Sequence, residues 1–359
     1  MKVVHLVHSL RGGGIQNFLI NLASEQARLG NDVVIVVIDR YDSDYCSHLE
    51  NVLIANNVQV ICLERIVKDR ISTIKTLLRC RRIIQNLHPA LVNTHGEMCH
   101  VYGAYSTFNS KIKHFITIHN APEKWNRLHQ FCGRNKPLIF CSKIAYDMRL
   151  QESSNMVAID NGISKELISC NAVSDLRKEY NLKPTDKIVV SVGSLRKQKN
   201  YSFLMDIVNC INDEHIHFFV CGGGNMFEGG INEHIISKYK NIHFCGLRSD
   251  ISAIENAADL FLSCATFEGL PIAVLEAYFN GVPCVLSPIP QHIKIANIPK
   301  VWIPQKFEAQ QFVDCIKEAL LCMEDHEEIY KQRKISISQY GVTRTAKEYL
   351  SFYKKMLLA

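Results

Sequence analysis

No run of about 18 apolar residues occurs in the 359-residue chain, so no segment reads as a membrane-spanning helix. The 14 cysteines include no CxxC pair and follow no regular spacing, which argues against a disulfide framework. The histidines match no zinc-ligand spacing. Low-complexity linkers are missing, and no basic stripe interleaved with aromatics marks a nucleic-acid surface. The formal net charge is only +6, so no single-sign field dominates. The opening Met1-Lys-Val-Val-His-Leu-Val-His-Ser-Leu10 lacks the apolar core and small-residue cleavage site of a signal peptide, and it reads as a first buried strand.

What is present is ordinary globular material, 47% hydrophobic, in a length that suits about two domains. Cys62, Cys141, Cys221, Cys245, Cys264 and Cys284 lie within apolar runs and read as small core hydrophobes in a reducing cytoplasm. Apolar segments at Lys2–His8, Asp32–Asp39, Val58–Leu63, Ala90–Thr94, His114–Ile118 and Leu138–Cys141 alternate with helical patterns, the first of them Ile15–Leu29. Alternation of this kind predicts a parallel sheet with helices on both faces. Past Val157–Ile159 and the turn Asp160-Asn-Gly162 the pattern restarts, with strands at Lys187–Val192, His217–Cys221, Ile242–Cys245, Leu260–Ser263 and Pro283–Ser287. The sequence therefore predicts two Rossmann-like doubly wound α/β domains facing across a cleft, where ligands of such sheets bind. Their bounds are residues 1–162 and 163–342, with an amphipathic C-terminal helix (343–359) returning to the first domain.

The most informative stretch is Glu268-Gly-Leu-Pro-Ile-Ala-Val-Leu-Glu276, which directly follows a strand. Eight residues are slightly more than two helical turns, so the two carboxylates are expected near one face beside a helix N-terminus. Backbone N–H groups there suit an anion, and the carboxylates suit hydroxyls. A nucleotide-sugar offers both diphosphate and hydroxyls. In the first half, Gly12-Gly-Gly14 follows the first strand and permits close backbone approach at another helix start. Gly12-x-Gly14 with Asp39 also partly mimics a dinucleotide fingerprint, though Asn17 stands where a third glycine belongs.

Between Arg65 and Arg82 seven cations (Arg65, Lys68, Arg70, Lys75, Arg79, Arg81, Arg82) face a single Asp69, with Ile66, Ile71, Ile74, Leu77, Leu78, Ile83 and Ile84 interleaved. Two readings of this basic amphipathic helix stand: a solvated surface helix packed on a sheet, or contact with an anionic membrane surface.

Taken together, the ordered set Gly12-Gly-Gly14, His119, Asn161-Gly162, Gly193…Lys199-Asn200, Gly222-Gly-Gly224, Phe244-Cys-Gly246 and Glu268-Gly-Leu-Pro…Glu276-Ala resembles the family 4 (group 1) retaining glycosyltransferases of the GT-B fold, of the bacterial polysaccharide-biosynthesis type. The resemblance spans nearly the whole chain. It implies a donor-binding set of Gly13, Gly14, Gly193, Arg196, Lys199, Arg248, Glu268, Gly269, Leu270, Pro271 and Glu276. Within it Glu268 meets the donor sugar, Glu276 the ribose, Lys199 the diphosphate, and the Gly246–Asp250 segment the base. It implies that His119 contacts the sugar or supports the transition state. Residues 1–162 become the acceptor-side domain and 163–342 the donor domain. His95, Glu97, Lys124 and Trp125 are candidates on the acceptor side. Two departures stand out: Ser194 occupies the position where the family often has Arg, and His292 stands near its usual Glu.

No Asp-x-Asp stands at a strand end, since Asp42-Ser-Asp44 reads as a polar loop, so neither metal nor other cofactor is expected. The expected reaction moves a sugar from a UDP- or GDP-sugar to a hydroxyl of a glycan or lipid-linked acceptor, at the cytoplasmic face of the membrane and without nucleic acid. A nucleotide-sugar epimerase on the same scaffold, or an NAD-dependent oxidoreductase, are the alternatives.

Overall fold

The computed structural model describes residues 1–11, 13–40, 43–119, 131, 133–147, 155–164, 173–227, 229–231, 239–295, 300–321 and 340–358. The chain divides into two compact units, Met1–Gly162 with Tyr340–Ala359, and Ile163–Gln339.

The first unit is a seven-stranded sheet. Its strands are β1 (Lys2–Val7), β2 (Asp32–Asp39), β3 (Gln59–Arg65), β4 (Leu91–His95), β5 (Lys113–Ile118), β6 (Leu138–Phe140) and β7 (Met156–Ala158). All pairings are parallel, in the order β3-β2-β1-β4-β5-β6-β7. The helices are α1 (Gly14–Arg28), α2 (Asp44–Ala55), α3 (Arg70–Leu87), α4 (Glu97–Thr107) and α5 (Lys143–Asp147). Continuous Val/Ile runs make β1 and β2 buried on both faces, as helices above and below a parallel sheet require.

The second unit repeats the plan. Its elements are α6 (Leu176–Glu179), β8 (Lys187–Val192), α7 (Tyr201–Ile211), β9 (Ile216–Cys221), β10 (Ile242–Gly246), α8 (Ile251–Asn256), β11 (Leu260–Ser263), α9 (Ile272–Phe279), β12 (Cys284–Leu286), α10 (Pro290–Ile295), β13 (Val301–Trp302) and α11 (Ala309–Leu321). The sheet is parallel, in the order β10-β9-β8-β11-β12-β13.

The last helix, α12 (Val342–Leu358), belongs to the first unit and packs along α1. Tyr349 and Tyr353 are fully buried. Tyr353 crosses Phe115 edge-on at 4.9 Å, and its hydroxyl accepts a hydrogen bond from Asn93 at 2.6 Å. The return starts slightly before the expected 343. Gly162 lies so close to the returning chain that a Cβ there would sit 2.5 Å from Val342 Cα, and Thr345 donates to the Asp160 carbonyl at 2.9 Å. Only glycine fits that crossing.

Three further expectations change. Asp44 opens α2 behind an N-cap at Ser43, whose side chain accepts from the Cys46 N–H, so it does not lie in an irregular loop. The basic helix is α3, and Arg65 is not part of it: at the end of β3, buried, Arg65 forms an ion pair with Asp39 at 2.6 Å. That pair also occupies the acid that the dinucleotide reading needed. On α3, Thr76, Cys80 and Ile84 face the sheet, while Ile71, Ile74 and Leu78 point outward at 54–67% exposure. Seven of the eleven described cysteines are buried, and all eleven are free thiols.

Candidate active site

In each sheet the chain changes direction across one pair of neighbouring strands: β1 and β4 in the first unit, β8 and β11 in the second. Ligands of doubly wound sheets bind at the carboxyl ends of such strands. The candidate residues stand there in both units.

In the second unit, β8 runs into Gly193, a 3-10 turn (Lys197–Lys199) and α7. Lys199 doubles back over Gly193, where a Cβ would lie 2.7 Å from the lysine Cε and would push that side chain aside. Lys199 Nζ donates to Glu268 Oε1 at 2.6 Å, and the side chains are 19% and 9% exposed. Gln198 reinforces the contact by donating to the Phe267 carbonyl at 2.8 Å and to Glu268 Oε2 at 3.4 Å. The two segments singled out from sequence are thus one cluster, closed by a desolvated cation–carboxylate bond of the strong kind.

Glu268 lies in the turn before α9 rather than on the helix, because Pro271 takes the N-cap position and the helix starts at Ile272. The two glutamates therefore do not share a helical face, as the eight-residue spacing had suggested. Gly269 and Pro271 are buried, and Leu270 is half-buried between them. Leu275 is the first residue whose N–H reaches a carbonyl four positions back, that of Pro271, which leaves the Ala273 and Val274 N–H groups directed out of the helix start. Arg196 is exposed, with no ion pair among the described residues, so it can supply charge beside Ser194.

Arg248 is placed otherwise than expected. Its guanidinium binds Asp250 through two hydrogen bonds (2.8 and 2.9 Å) and Glu179 through two more (2.9 and 3.2 Å). Those carboxylates raise its pKa further and hold its guanidinium against the loop after β10 and the end of α6.

Glu276, inside α9, has its carboxyl pushed up to about 7 by burial. Sequence reasoning missed its neighbour Glu255 on α8. Glu255 is 1% exposed, accepts from Asn280 Nδ2 at 2.6 Å, and is held well above the ordinary range by burial and then by Glu276. His292, on α10, is fully buried; its Nδ1 meets the Ser287 carbonyl at 3.0 Å, and burial lowers it to about 4.

In the first unit, Gly13 and Gly14 open α1, whose first turn has no side-chain cap. The space beyond the missing Gly14 Cβ is clear to 4 Å. Gly12 lies outside the described residues, as do Lys124 and Trp125. His119 follows β5, half-buried, its ring edge-on to Phe18 at 5.5 Å. His95 ends β4, but it is fully buried: its two ring nitrogens lie 2.9 Å from His119 Nε2 and 3.0 Å from His5 Nδ1. It stands behind His119 and presents no ring nitrogen to an acceptor. Glu97 is exposed in the first turn of α4, where a carboxylate suits the helix dipole. His5 and Gln26, which continue the histidine file, were missed. The usable signal was a polar residue at a core register position, His5 amid Val-Val-His-Leu-Val.

Two parallel α/β units of this plan make up the GT-B fold. One family model, "Glycosyltransferase Family 4", matches residues 12–175, and another, "Glycosyl transferases group 1", matches 173–335. The chain belongs to the group 1 (family 4) glycosyltransferases.

Among relatives, it is 26% identical over 166 residues to the UDP-Gal:alpha-D-GlcNAc-diphosphoundecaprenol alpha-1,3-galactosyltransferase of Escherichia coli, covering 44% of this chain and 42% of that one. It is 25% identical over 217 residues to the capsular polysaccharide biosynthesis glycosyltransferase CapH of Staphylococcus aureus, covering 54% and 60% respectively. The matched stretches thus span less than two thirds of either relative. Among solved structures, Anabaena Alr3699/HepE in complex with UDP-glucose superposes over 99% of this chain and 100% of that one, with a TM-score of 0.80 at 17% identity, a likeness of fold.

Proposed function

We propose that this protein transfers a glycosyl unit, with retention, from a nucleoside-diphosphate sugar to a hydroxyl of a lipid-linked glycan during assembly of a bacterial surface polysaccharide. The observation that carries the reading is the Lys199–Glu268 bond at the switch point of the second sheet, next to the α9 start. A departing nucleoside diphosphate gains negative charge as the bond from anomeric carbon to phosphate oxygen breaks. Lys199, Arg196 and the α9 N–H groups supply preorganised positive charge for it. Glu268 holds Lys199 in place and accepts from a sugar hydroxyl, and Glu276 accepts from the ribose.

His119, just past the end of β5, meets the sugar. The new bond forms from the acceptor oxygen to the anomeric carbon on the face the phosphate leaves. The acceptor proton passes to the departing phosphate oxygen. With cationic side chains and helix N–H groups in that role, the reaction is proposed to be metal-independent.

Uridine is the first candidate base, supported by the substrate in the E. coli relative's name and by the ligand of the Anabaena structure. The lipid-linked acceptor is supported by the diphosphoundecaprenol in the same name and by the outward face of α3. That face mixes Ile71, Ile74 and Leu78 with Lys75 and Arg82, the pattern of an interfacial helix on an anionic leaflet. Location at the inner face of the cytoplasmic membrane follows from such an acceptor. No described helix is long and apolar enough to cross a membrane.

A thermal-shift screen over UDP-, GDP- and ADP-sugars tests the donor. One nucleotide series is expected to raise the melting temperature by several degrees. A flat response to all three would remove the proposal.

A further inference from the structure

Behind His119 stands a single file of buried polar side chains. His119 Nε2 lies 2.9 Å from His95 Nδ1, His95 Nε2 lies 3.0 Å from His5 Nδ1, and His5 Nε2 lies 2.8 Å from Gln26 Oε1. His5, His95 and Gln26 are each fully buried, so no water competes for these atoms. The file runs from helix α1 through the adjacent strands β1 and β4 to the end of β5, so its members hold their spacing by sheet register.

Burial lowers His5 to about 4 and His119 to about 3, and His95, crowded by both, stays well below the ordinary imidazole value. All three rings are therefore neutral near pH 7. A neutral imidazole has one N–H and one bare nitrogen, so each ring-to-ring contact takes the N–H of one ring and the lone pair of the next. The file can have only one polarity. At its end the Gln26 carbonyl oxygen accepts and cannot donate, which puts the His5 proton on Nε2 and leaves His5 Nδ1 bare. His95 then donates from Nε2, and so does His119. No described residue bonds His119 Nδ1.

We propose that Gln26, His5 and His95 are positioning residues that lock His119 in the Nε2–H tautomer, so that it meets its ligand with a bare Nδ1. A bare nitrogen accepts. The group it selects is a hydroxyl, and a phosphate or carbonyl oxygen, having no proton to give, is disfavoured there. The selection of a hydroxyl rests on the reading of His119 as a sugar contact; the tautomer does not.

The test is long-range proton–nitrogen correlation NMR on the full chain with nitrogen-15 histidine at pH 7.5, without ligand. The expected result is the Nε2–H tautomer at His5, His95 and His119 together. Protonation of His119 on Nδ1, or different tautomers within the file, would overturn the proposal, since the reverse amide orientation or a broken chain would produce them. Gln26→Leu is expected to abolish the single tautomer of His119, whereas Gln26→Glu, which also accepts, restores it; an unchanged His119 signal in Gln26→Leu also overturns it.

In parallel, Gln26→Leu should lower kcat/KM for sugar transfer about ten-fold, the scale of one hydrogen bond, with binding of free UDP unchanged. Loss of the tautomer without loss of turnover would overturn the hydroxyl selection. Full activity of His119→Ala would instead sink the sugar-contact reading while leaving the tautomer result standing.

Discussion

The two units share a topology and place their site residues at the same point of the sheet, yet they furnish it with opposite chemistry. The first offers neutral groups: glycine backbone at the start of α1 and a histidine kept uncharged by burial. The second offers charge: Lys199 bonded to Glu268, the exposed Arg196, and the acid pair Glu255/Glu276. A scaffold repeated twice therefore does not dictate what its switch point binds. Side chains set it.

The largest expected effects break the charged side, at Glu268 and then at Lys199. Lys199→Ala should cut turnover on the order of 10²–10³-fold, the scale of losing one preorganised electrostatic contact to a leaving group. Steady-state kinetics with the donor found by thermal shift measures it. The corresponding neutral loss, His119→Ala, should be smaller.

A second effect is on binding. The proposed role of Glu276, accepting from ribose hydroxyls, calls for a carboxylate, but burial puts its carboxyl at about 7, so on that proposal nucleotide binding releases a proton. Affinity should fall as pH drops below about 7, by up to about ten-fold per pH unit. Calorimetry from pH 5.5 to 8 should show that slope in the wild type and a flat, weaker profile in Glu276→Gln; the same slope in both would disprove the assignment.

Stability sharpens the contrast further. Four histidines of the first unit, the buried His5, His95 and His114 and the half-buried His119, have pKa values lowered by desolvation. Their contribution is fully present above the unfolded value near 6.5 and is lost as pH falls towards 4 and 3. In the second unit Glu255 and Glu276 are raised, so theirs is present below about 4.5 and is lost as pH rises through about 7. His217, His243 and His292 of that unit are lowered and oppose this trend. Between pH 7.5 and 5, hydrogen-exchange protection, corrected for intrinsic rates, should therefore drop more in β1, β4 and β5 than in β8 and β11. Equal losses in both units would count against it.

The smallest effect concerns the outward face of α3. Replacing Ile71 by serine should weaken partitioning onto vesicles containing anionic lipid about five-fold, an apolar side chain contributing on the order of 1 kcal/mol. UDP binding should not change. Wild-type protein that fails to sediment would remove the membrane contact.

The fold was legible because it is written in period and punctuation. β2, β8 and β11 fall at the residues their Val/Ile/Leu runs predicted, and the restart after Asp160-Asn-Gly162 coincides with the division of the chain. Side-chain partnership was less legible, because it joins residues far apart in sequence. Nothing local says that Arg65 neutralises Asp39, that Arg248 is held by Glu179, or that His95 is enclosed between His5 and His119. The Lys199–Glu268 bond spans 69 positions, and its two ends were found separately, as motifs. Glu255 carried no motif and emerges only from its burial beside Glu276. The outward apolar stripe of α3 was hidden by the many isoleucines on both of its faces.

The central claim is that transfer depends on the carboxylate bonded to Lys199. Its most direct test is Glu268→Ala, assayed for sugar transfer and for the UDP-induced thermal shift in the same preparation. The expected result is loss of transfer by at least about 10³-fold with the fold intact and the nucleotide still stabilising the protein. Transfer at the wild-type rate in that variant would contradict the account.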